Sequence, residues 1–166
     1  MANWLKYVIA FASAFALMLA IRTLAFSIHG VEGNGLAPLY QNGDRLLINR
    51  LSYGLRIAGN AMLPYSRLMR SPVKKGDIVA FIMPCDSAGG ICIARCKAVP
   101  GDTIPTADGP LLVPGLMTCA MTDYYWLESI NPQNPADSRH IGFIPESHIV
   151  GEVVSVLYNR KNIRLQ

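Results

Sequence analysis

The sequence predicts a mainly β domain that follows one N-terminal transmembrane helix. Residues 8–21 form a long apolar run without a charge. Short runs rich in β-branched and aromatic residues follow it, each bounded by Gly, Pro or Asp, which is typical of strands. Fourteen glycines and eleven prolines among such short strands favour a coiled β-barrel or sandwich-like architecture.

The apolar N-terminal segment predicts a membrane anchor. A spanning helix needs roughly 20 mostly apolar residues, and residues 4–28 reach that length if the Arg22 side chain extends to the far interface. A cleaved signal peptide needs a small-residue cleavage site, for which only the region near Ala25 is a candidate. A buried core helix would show a polar stripe, whereas residues 8–21 contain only Ser13 as a polar residue. We therefore expect residues 1–28 to form the anchor and residues 29–166 the β domain.

The charged residues suggest an orientation and exclude one class of partner. Lys6 and Arg22 nearly balance the positive-inside count, so the short N-terminal flank is the stronger indication that the C-terminal domain is the part that crosses. The formal net charge is a modest +4. Because the basic residues are scattered without interleaved aromatic residues, nucleic acid is not an expected partner.

The four cysteines are Cys85, Cys92, Cys96 and Cys119. An exported domain permits disulfides, and four cysteines allow three pairings between which the sequence does not choose. Cys85 and Cys92 flank a hairpin loop and are suitably placed to face each other. Zinc binding is a weaker interpretation, because no second ligand pair follows Cys92 and Cys96. We expect no metal and no cofactor.

The strand predictions follow the chain in order. The predicted strands lie within "RLLINRLSYG", "DIVAFIMP", "ICIARCKAV", "YYWLESI" and "HIVGEVVSVLYN". Three strand boundaries carry a Gly-Asp pair, in which glycine supplies a positive φ and aspartate bonds the local backbone. Residues 56–74 lack a clean periodicity, and we expect them to form a surface excursion.

Four pieces of the chain, in this order, resemble the type I signal peptidases, which are membrane-anchored leader peptidases. They are "LAIRTLAFSIHGVEGNGLAPLYQNGDRLLINRLSYG", "VKKGDIVAF", "ARCKAVPGD" and "NPQNPADSRHIGFIP". The resemblance covers nearly the whole chain. It implies the β-rich signal peptidase fold and serine endopeptidase chemistry, in which a neutral lysine amine activates a serine.

The resemblance also implies that the catalytic side chains are missing. The family has Ser-Gly-Ser-Met-x-Pro where residues 33–38 of this chain read "GNGLAP". The nucleophile position therefore falls on Gly35, and the serine that helps to bind the oxyanion falls on Gly33. The general-base lysine falls on Ala94. The loop over residues 31–44 contains no serine, cysteine, threonine or lysine at all.

The closing motif departs from the family pattern in its catalytic half only. The family's Gly-Asp-Asn falls on residues 129–131, "SIN", and the serine that bonds the catalytic lysine falls on Pro135. The positions that match the family, and to which we assign structural roles, are Pro38, Asp44, Arg95, Gly101, Asp102, Asp137, Ser138, Arg139, Gly142 and Phe143. We expect Asp137 and Arg139 to pair and brace the fold.

Other side chains are weaker candidates for catalysis. Lys97 lies three residues after Ala94, and an odd offset along a strand points it to the other face unless a bulge intervenes. Ser27 has no base in sequence register. The three histidines, His29, His140 and His148, lack a serine partner that the sequence identifies.

Three functions follow from these patterns. The first is a catalytically inactive signal-peptidase-like protein of the bacterial cytoplasmic membrane, single-pass with its β domain on the outer or periplasmic side. Its expected partners are the membrane and exported precursor peptides or an active signal peptidase. The second is an active signal peptidase with an unconventional catalytic pair. The third is a structural envelope protein that keeps only the scaffold.

Overall fold

The structure, a computed structural model, describes residues 2–57, 65–84, 90–106, 109–118 and 120–159. A 24-residue helix, α1 (Ala2–Ala25), comes first, and a four-residue helix, α2 (Ser138–Ile141), lies near the C-terminus. The strands of the described part are β1 (Phe26–Gly30), β2 (Asp44–Asn49), β3 (Leu55–Ile57), β4 (Ser66–Leu68), β5 (Ile78–Ile82), β6 (Ile91–Ala98), β7 (Thr103–Thr106), β8 (Gly109–Leu112), β9 (Tyr124–Glu128), β10 (Ile144–Pro145) and β11 (Ile149–Asn159).

Seven strands form one curled antiparallel sheet in the order β1-β2-β11-β5-β6-β9-β10. The hairpins β3–β4 and β7–β8 form two separate two-stranded sheets. The prediction of a mainly β fold is therefore confirmed, as are all five predicted strands. In the described part of the chain the large sheet keeps two edges, β1 and β10, so closure into a barrel stays a prediction.

The predicted N-terminal helix is present, but it begins two residues earlier and ends three residues earlier than the sequence predicts. It ends at Ala25, and the next residues, which we had expected to be helical as far as Ile28, belong to strand β1 instead. Pairing of β1 with β2, for example Ile28 opposite Leu47, explains this difference, because the sheet satisfies backbone groups that the sequence alone leaves open. None of the helices among the described residues has both the length and the apolarity required to cross a bilayer.

The three Gly-Asp turns have the predicted geometry. Each glycine has a positive φ: Gly43 (94°), Gly76 (94°) and Gly101 (88°). Each aspartate accepts a hydrogen bond from the backbone N–H three residues earlier: Asp44 from Gln41 (2.8 Å), Asp77 from Lys74 (3.0 Å) and Asp102 from Val99 (2.8 Å). Each Gly-Asp pair therefore stabilises a local turn through the glycine backbone conformation and the aspartate hydrogen bond.

The central strands send alternate side chains into two buried clusters, as the period of a strand requires. Phe81 and Ala94 face the first cluster, whereas Ala80 and Ile93 face the second. The first cluster also contains Tyr53, Val73, Val79, Cys96, Tyr125, Leu127, Ile144 and Ile149. The second also contains Val31, Tyr40, Leu46, Ile48 and Val153. The loop over residues 31–44 thus packs on the second face.

The pairing of β11 with its neighbours is irregular, and such bulges bend and twist a strand. The register shifts between Ile149 and Gly151, and twice more along the pairing with β2. A Cβ at Gly151 would lie 2.3 Å from the carbonyl oxygen of Asn49. Only glycine allows the two backbones to approach this closely.

The predicted surface excursion is more ordered than its sequence indicated. Strands β3 and β4 pair within it, and residues 58–64 lie outside the described part. The Arg67 side chain is 2% exposed and lies 3.8 Å from a Glu146 carboxylate oxygen. It also donates to the carbonyls of Tyr53, Glu146 and Ile149. The hairpin is therefore held against the large sheet by a buried cation.

Candidate functional site

Backbone hydrogen bonds close the loop that contains the nucleophile position. The Val31 N–H donates to the Asp44 carbonyl at 2.8 Å, and the Gly43 N–H donates to the Val31 carbonyl at 2.9 Å. Val31 and Tyr40 anchor the two sides of the loop in the second cluster. The loop is therefore a fixed part of the fold, although it contains no nucleophilic side chain.

Gly35 lies beneath two polar side chains from the segment after β9. Asn134 Nδ2 donates to the Gly35 carbonyl at 3.2 Å, and Ser129 Oγ donates to the same oxygen at 3.4 Å. A Cβ at Gly35 would stand 2.7 Å from Asn134 Nδ2. The nucleophile position therefore lacks a reactive group, and the Asn134 amide occupies the space that a side chain there would need.

The base position, Ala94, is fully buried on β6. It is surrounded by apolar residues of the first cluster, among them Phe81 and Leu127. Arg95 pairs with Glu128 across the sheet, so Ala94 and Ser129 are the next residues along the two chains. The Ser129 hydroxyl also contacts the Gly35 carbonyl.

Gly33, the oxyanion position, has φ +75° and nothing within 4 Å of an added Cβ. The position is open, but it has no hydroxyl to donate. Pro38, which follows the predicted nucleophile position, forms a cis peptide bond with Ala37. The neighbouring Asn34 carbonyl accepts from Asn131 Nδ2 at 3.1 Å. Polar side chains of residues 129–134 thus hold this loop at two consecutive carbonyls.

The retained half of the closing motif is a buried polar brace. The fully buried Asp137 carboxylate accepts from Arg139 Nε at 2.7 Å, from the Ser129 N–H at 3.1 Å and from the Arg139 N–H at 3.0 Å. His140 Nδ1 lies 3.3 Å from Oδ1 of this carboxylate, the oxygen that also accepts from the Arg139 N–H. Burial by itself would raise the pKa of Asp137, but these donors outweigh it and hold the pKa below its ordinary value.

The rest of the motif continues the brace. The Ser138 hydroxyl is buried and accepts from the Leu127 N–H at 2.8 Å. Gly142 ends α2 with φ 87°, and its N–H donates to the Ser138 carbonyl. Phe143 packs edge-on against Trp126 with ring centres 5.6 Å apart. These contacts tie residues 137–143 to strand β9.

Two clefts lie on either side of the loop over residues 33–39. The first, here called the β1–β6 cleft, has a volume of about 430 Å³ and lies between the end of β1 and the start of β6. Its lining residues are His29, Gly30, Val31, Glu32, Gly35, Leu36, Gly90, Ile91, Cys92, Ile93, Asn134 and Ala136.

The second, here called the cationic cleft, measures about 520 Å³. Its lining residues are Pro38, Leu39, Arg95, Lys97, Glu128, Ser129, Ile130, Pro132 and Arg139.

The side chains of the alternative catalytic candidates make no hydrogen bond to Gly35 or Ala94 within the described part of the chain. Lys97 sits at a register shift between β6 and β9, is 55% exposed and lies 3.9 Å from Glu128. His148 contacts the hydroxyl of its neighbour Ser147 at 3.2 Å, and burial lowers its pKa. The Ser27 hydroxyl is buried with no hydrogen-bond partner among the described residues.

Within the described part of the chain, no three His, Cys, Asp or Glu side chains are grouped as a metal site. Burial, followed by the nearby Asp77 carboxylate, raises the pKa of the Cys96 thiol to about 12. A thiol that stays protonated at neutral pH is a poor metal ligand. The suggested pairing of Cys85 with Cys92 involves a residue outside the described part of the chain, because Cys85 is not described. Cys119 also lies outside the described part.

Sequence reasoning missed the two side chains that touch the nucleophile position. Asn134 lies within the segment "NPQNPADSRHIGFIP", directly before Pro135, but at a position to which the resemblance assigns no role. Ser129 stands where the related motif has glycine, and that departure was the one available signal for it. Neither contact follows from sequence spacing, because Ser129 lies 94 residues from Gly35.

The curled antiparallel sheet and the buried Asp137 brace agree with the scaffold that the resemblance to signal peptidases implies. Residues 3–122 match the family described as "Signal peptidase, peptidase S26". A probable signal peptidase I-2 from Synechocystis is 25% identical, with 90% of this chain and 71% of the relative covered. Signal peptidase I from Bacillus caldolyticus is 24% identical, with 84% of each chain covered.

A third relative is eukaryotic. Mitochondrial inner membrane protease subunit 1 from mouse is 31% identical over 74% of this chain and 63% of its own length. Because the family match covers most of the sequence, the chain belongs to the signal peptidase family.

Proposed function

We propose that this protein is a member of its family that binds exported precursor peptides without cleaving them. The observation that carries the proposal is the site at Gly35, where the nucleophile is absent and Asn134 Nδ2 lies 2.7 Å from the place of a Cβ. The base position holds a methyl group at Ala94. Loss of one member of a nucleophile–base pair lowers turnover by about 10⁶, and no hydroxyl at Gly33 compensates for that loss.

The β1–β6 cleft supports a peptide-binding role. It lies between two strand ends, and β1 is an edge of the sheet whose outer backbone groups are available for pairing. An extended peptide gains affinity from main-chain hydrogen bonds at such an edge and gains selectivity from small side-chain pockets. Leu36 and Ile93 supply apolar walls for a small residue of the peptide.

The test is to measure cleavage and binding on the same sample of purified full-length protein. We expect a labelled precursor with a small-x-small site to bind and to stay intact, while Bacillus caldolyticus signal peptidase I serves as the positive control for cleavage. Absence of binding would favour the structural envelope protein.

One observation favours the active enzyme as the second candidate. Ser129 places a hydroxyl 3.4 Å from the Gly35 carbonyl oxygen, and it follows Glu128, the strand partner of Arg95. Cleavage by the wild type that is lost in Ser129→Ala, and kept in Ser147→Ala, would establish this alternative and exclude the inactive-enzyme proposal. The weakness of the alternative is the base, because Lys97 is largely exposed and lies beside a carboxylate.

We further propose that α1 associates with the bacterial cytoplasmic membrane and keeps the β domain on its outer side. Large apolar side chains stand exposed around the helix, including Phe11 at 76% and Leu17 at 62%. An apolar groove of about 790 Å³ continues from α1 onto β1 and β2. Exposed apolar surface of this extent is typical of a membrane or protein contact.

We expect the full-length protein to sediment with membranes and to resist extraction by high salt. Phe11→Lys with Phe15→Lys should move it to the supernatant, because each charge placed in an apolar bilayer region costs about 3 kcal/mol. Met117→Lys is the matched control, since Met117 is 96% exposed on the β domain. Equal release by the control and the double variant would contradict a role for α1.

A further inference from the structure

We propose that the cationic cleft binds an acidic side chain of the same extended peptide. This inference rests on the proposed function. It assigns the peptide residues beyond the segment held in the β1–β6 cleft to a second site with a different chemical preference.

The charges around the cationic cleft do not cancel. Its lining contains three cations, Arg95, Lys97 and Arg139, and one carboxylate, Glu128. Arg139 is paired with the buried Asp137, and Lys97 Nζ lies 3.9 Å from Glu128. One positive charge is therefore left over.

That charge belongs to Arg95. Its side chain is exposed, and it makes no ion pair within the described part of the chain. It is held on β6 by pairing with Ile78 on one side and Glu128 on the other. Glu128 is oriented in turn by a hydrogen bond of 3.1 Å from Trp126 Nε1. The guanidinium thus projects from a rigid strand and is free to take a ligand.

The two clefts are neighbours around one loop. Gly35 and Leu36 line the β1–β6 cleft, and Pro38 and Leu39 line the cationic cleft. A peptide that leaves the first cleft along residues 35–39 therefore reaches the second. Hydrogen bonds from Asn131 and Asn134 hold the loop that separates the two clefts in place.

The chemistry of the cleft selects a carboxylate. A guanidinium donates two parallel hydrogen bonds to a carboxylate, and Lys97 adds a second donor two residues along the strand. Arg95 sits at the wall of a cavity with apolar sides formed by Leu39 and Ile130. An aspartate or glutamate of a peptide fits this cavity with its stem on the apolar wall.

The experiment compares two labelled peptides by fluorescence anisotropy with the full-length protein. Both carry the same Ala-x-Ala segment, followed by Glu-Asp in one and by Gln-Asn in the other. We expect the wild type to bind the acidic peptide about tenfold more tightly, the effect of one hydrogen-bonded charge pair. Arg95→Gln should abolish this preference, Lys97→Gln should reduce it, and the exposed control Arg50→Gln should keep it.

The outcomes separate this inference from the proposed function. If neither peptide binds, the proposed function itself fails. If the wild type binds both peptides equally, or if Arg95→Gln lowers the affinity for both equally, the cationic cleft does not select an acidic side chain. Arg95-dependent binding to phosphatidylglycerol vesicles without any preference between peptides would assign the charge to the membrane and overturn the inference.

Discussion

The Asp137→Ala variant should be less stable than the wild type by about 3 kcal/mol, the range in which removal of one partner from a buried ion pair falls. The carboxylate is fully buried and accepts from Arg139, from two backbone N–H groups and from His140. Its removal leaves the buried Ser129 N–H without an acceptor, whereas Arg139, with its side chain 36% exposed, regains water. Chemical denaturation followed by circular dichroism measures the difference.

Lys75→Ala is the matched control for this loss. Lys75 Nζ makes an ion pair with Asp102 at 2.8 Å, but its side chain is 59% exposed. An exposed pair of this kind contributes about 0–1 kcal/mol. Equal destabilisation by the two variants would contradict the assignment of Asp137 as the brace of the fold.

Lowering the pH should reduce the free energy of unfolding of the wild type more than that of an Asp137→Asn variant. The pKa of Asp137 is lowered in the folded state, so the folded protein binds fewer protons than the unfolded chain in acid. The contribution of Asp137 to stability is therefore complete above its unfolded pKa of about 3.9 and is lost as the pH falls through the folded pKa. A parallel acid profile in Asp137→Asn would exclude this carboxylate as the source.

Ala94→Lys should destabilise the protein by about 4 kcal/mol or more, because it places an amine in an apolar cluster without a counter-charge. Ala94 is fully buried in the first cluster and pairs with Val79 of β5. Burial lowers the pKa of such a lysine, so the folded state binds fewer protons than the unfolded state. The loss should accordingly be smaller near about pH 10 than near about pH 7.

The next position on the strand is the control. Arg95→Lys introduces a lysine that stays exposed, and we expect a change within about 0.5 kcal/mol. A similar loss at both positions would show that Ala94 is not embedded in an apolar cluster. The Ala94→Lys substitution also supplies the amine for a double variant with Gly35→Ser.

Gly35→Ser combined with Ala94→Lys should not restore precursor cleavage. The new Cβ would meet Asn134 Nδ2 at 2.7 Å, so the asparagine must move and release the Gly35 carbonyl. Because Gly33 has no hydroxyl to donate, about 3 kcal/mol of oxyanion stabilisation is also missing. Adding Asn134→Ala relieves the contact and should recover the stability lost through Gly35→Ser. Cleavage by the double variant would show that Asn134 does not block the position.

Local chemistry explains what could be predicted from the sequence. The Gly-Asp turns, the five strands with β-branched residues and the N-terminal helix all depend on residues that are close in the chain. Strand β1 was missed because "FSIHG" continues the apolar character of the segment before it, and only pairing with β2 makes it a strand. Hairpin β7–β8 was missed because "TIPT" and "GPLL" contain prolines, which are uncommon inside strands.

The absence of a reactive side chain at positions 35 and 94 could be predicted from the sequence, because glycine and alanine carry no reactive atom in any fold. The ion pair of the brace could also be predicted from the sequence, because Asp137 and Arg139 are two residues apart and meet within one turn. The side chains that contact the nucleophile position could not be predicted in this way, because they come from a distant part of the chain. Ser129 and Asn134 reach Gly35 across more than 90 residues of chain, and such contacts are determined by how the sheet curls and not by any local pattern.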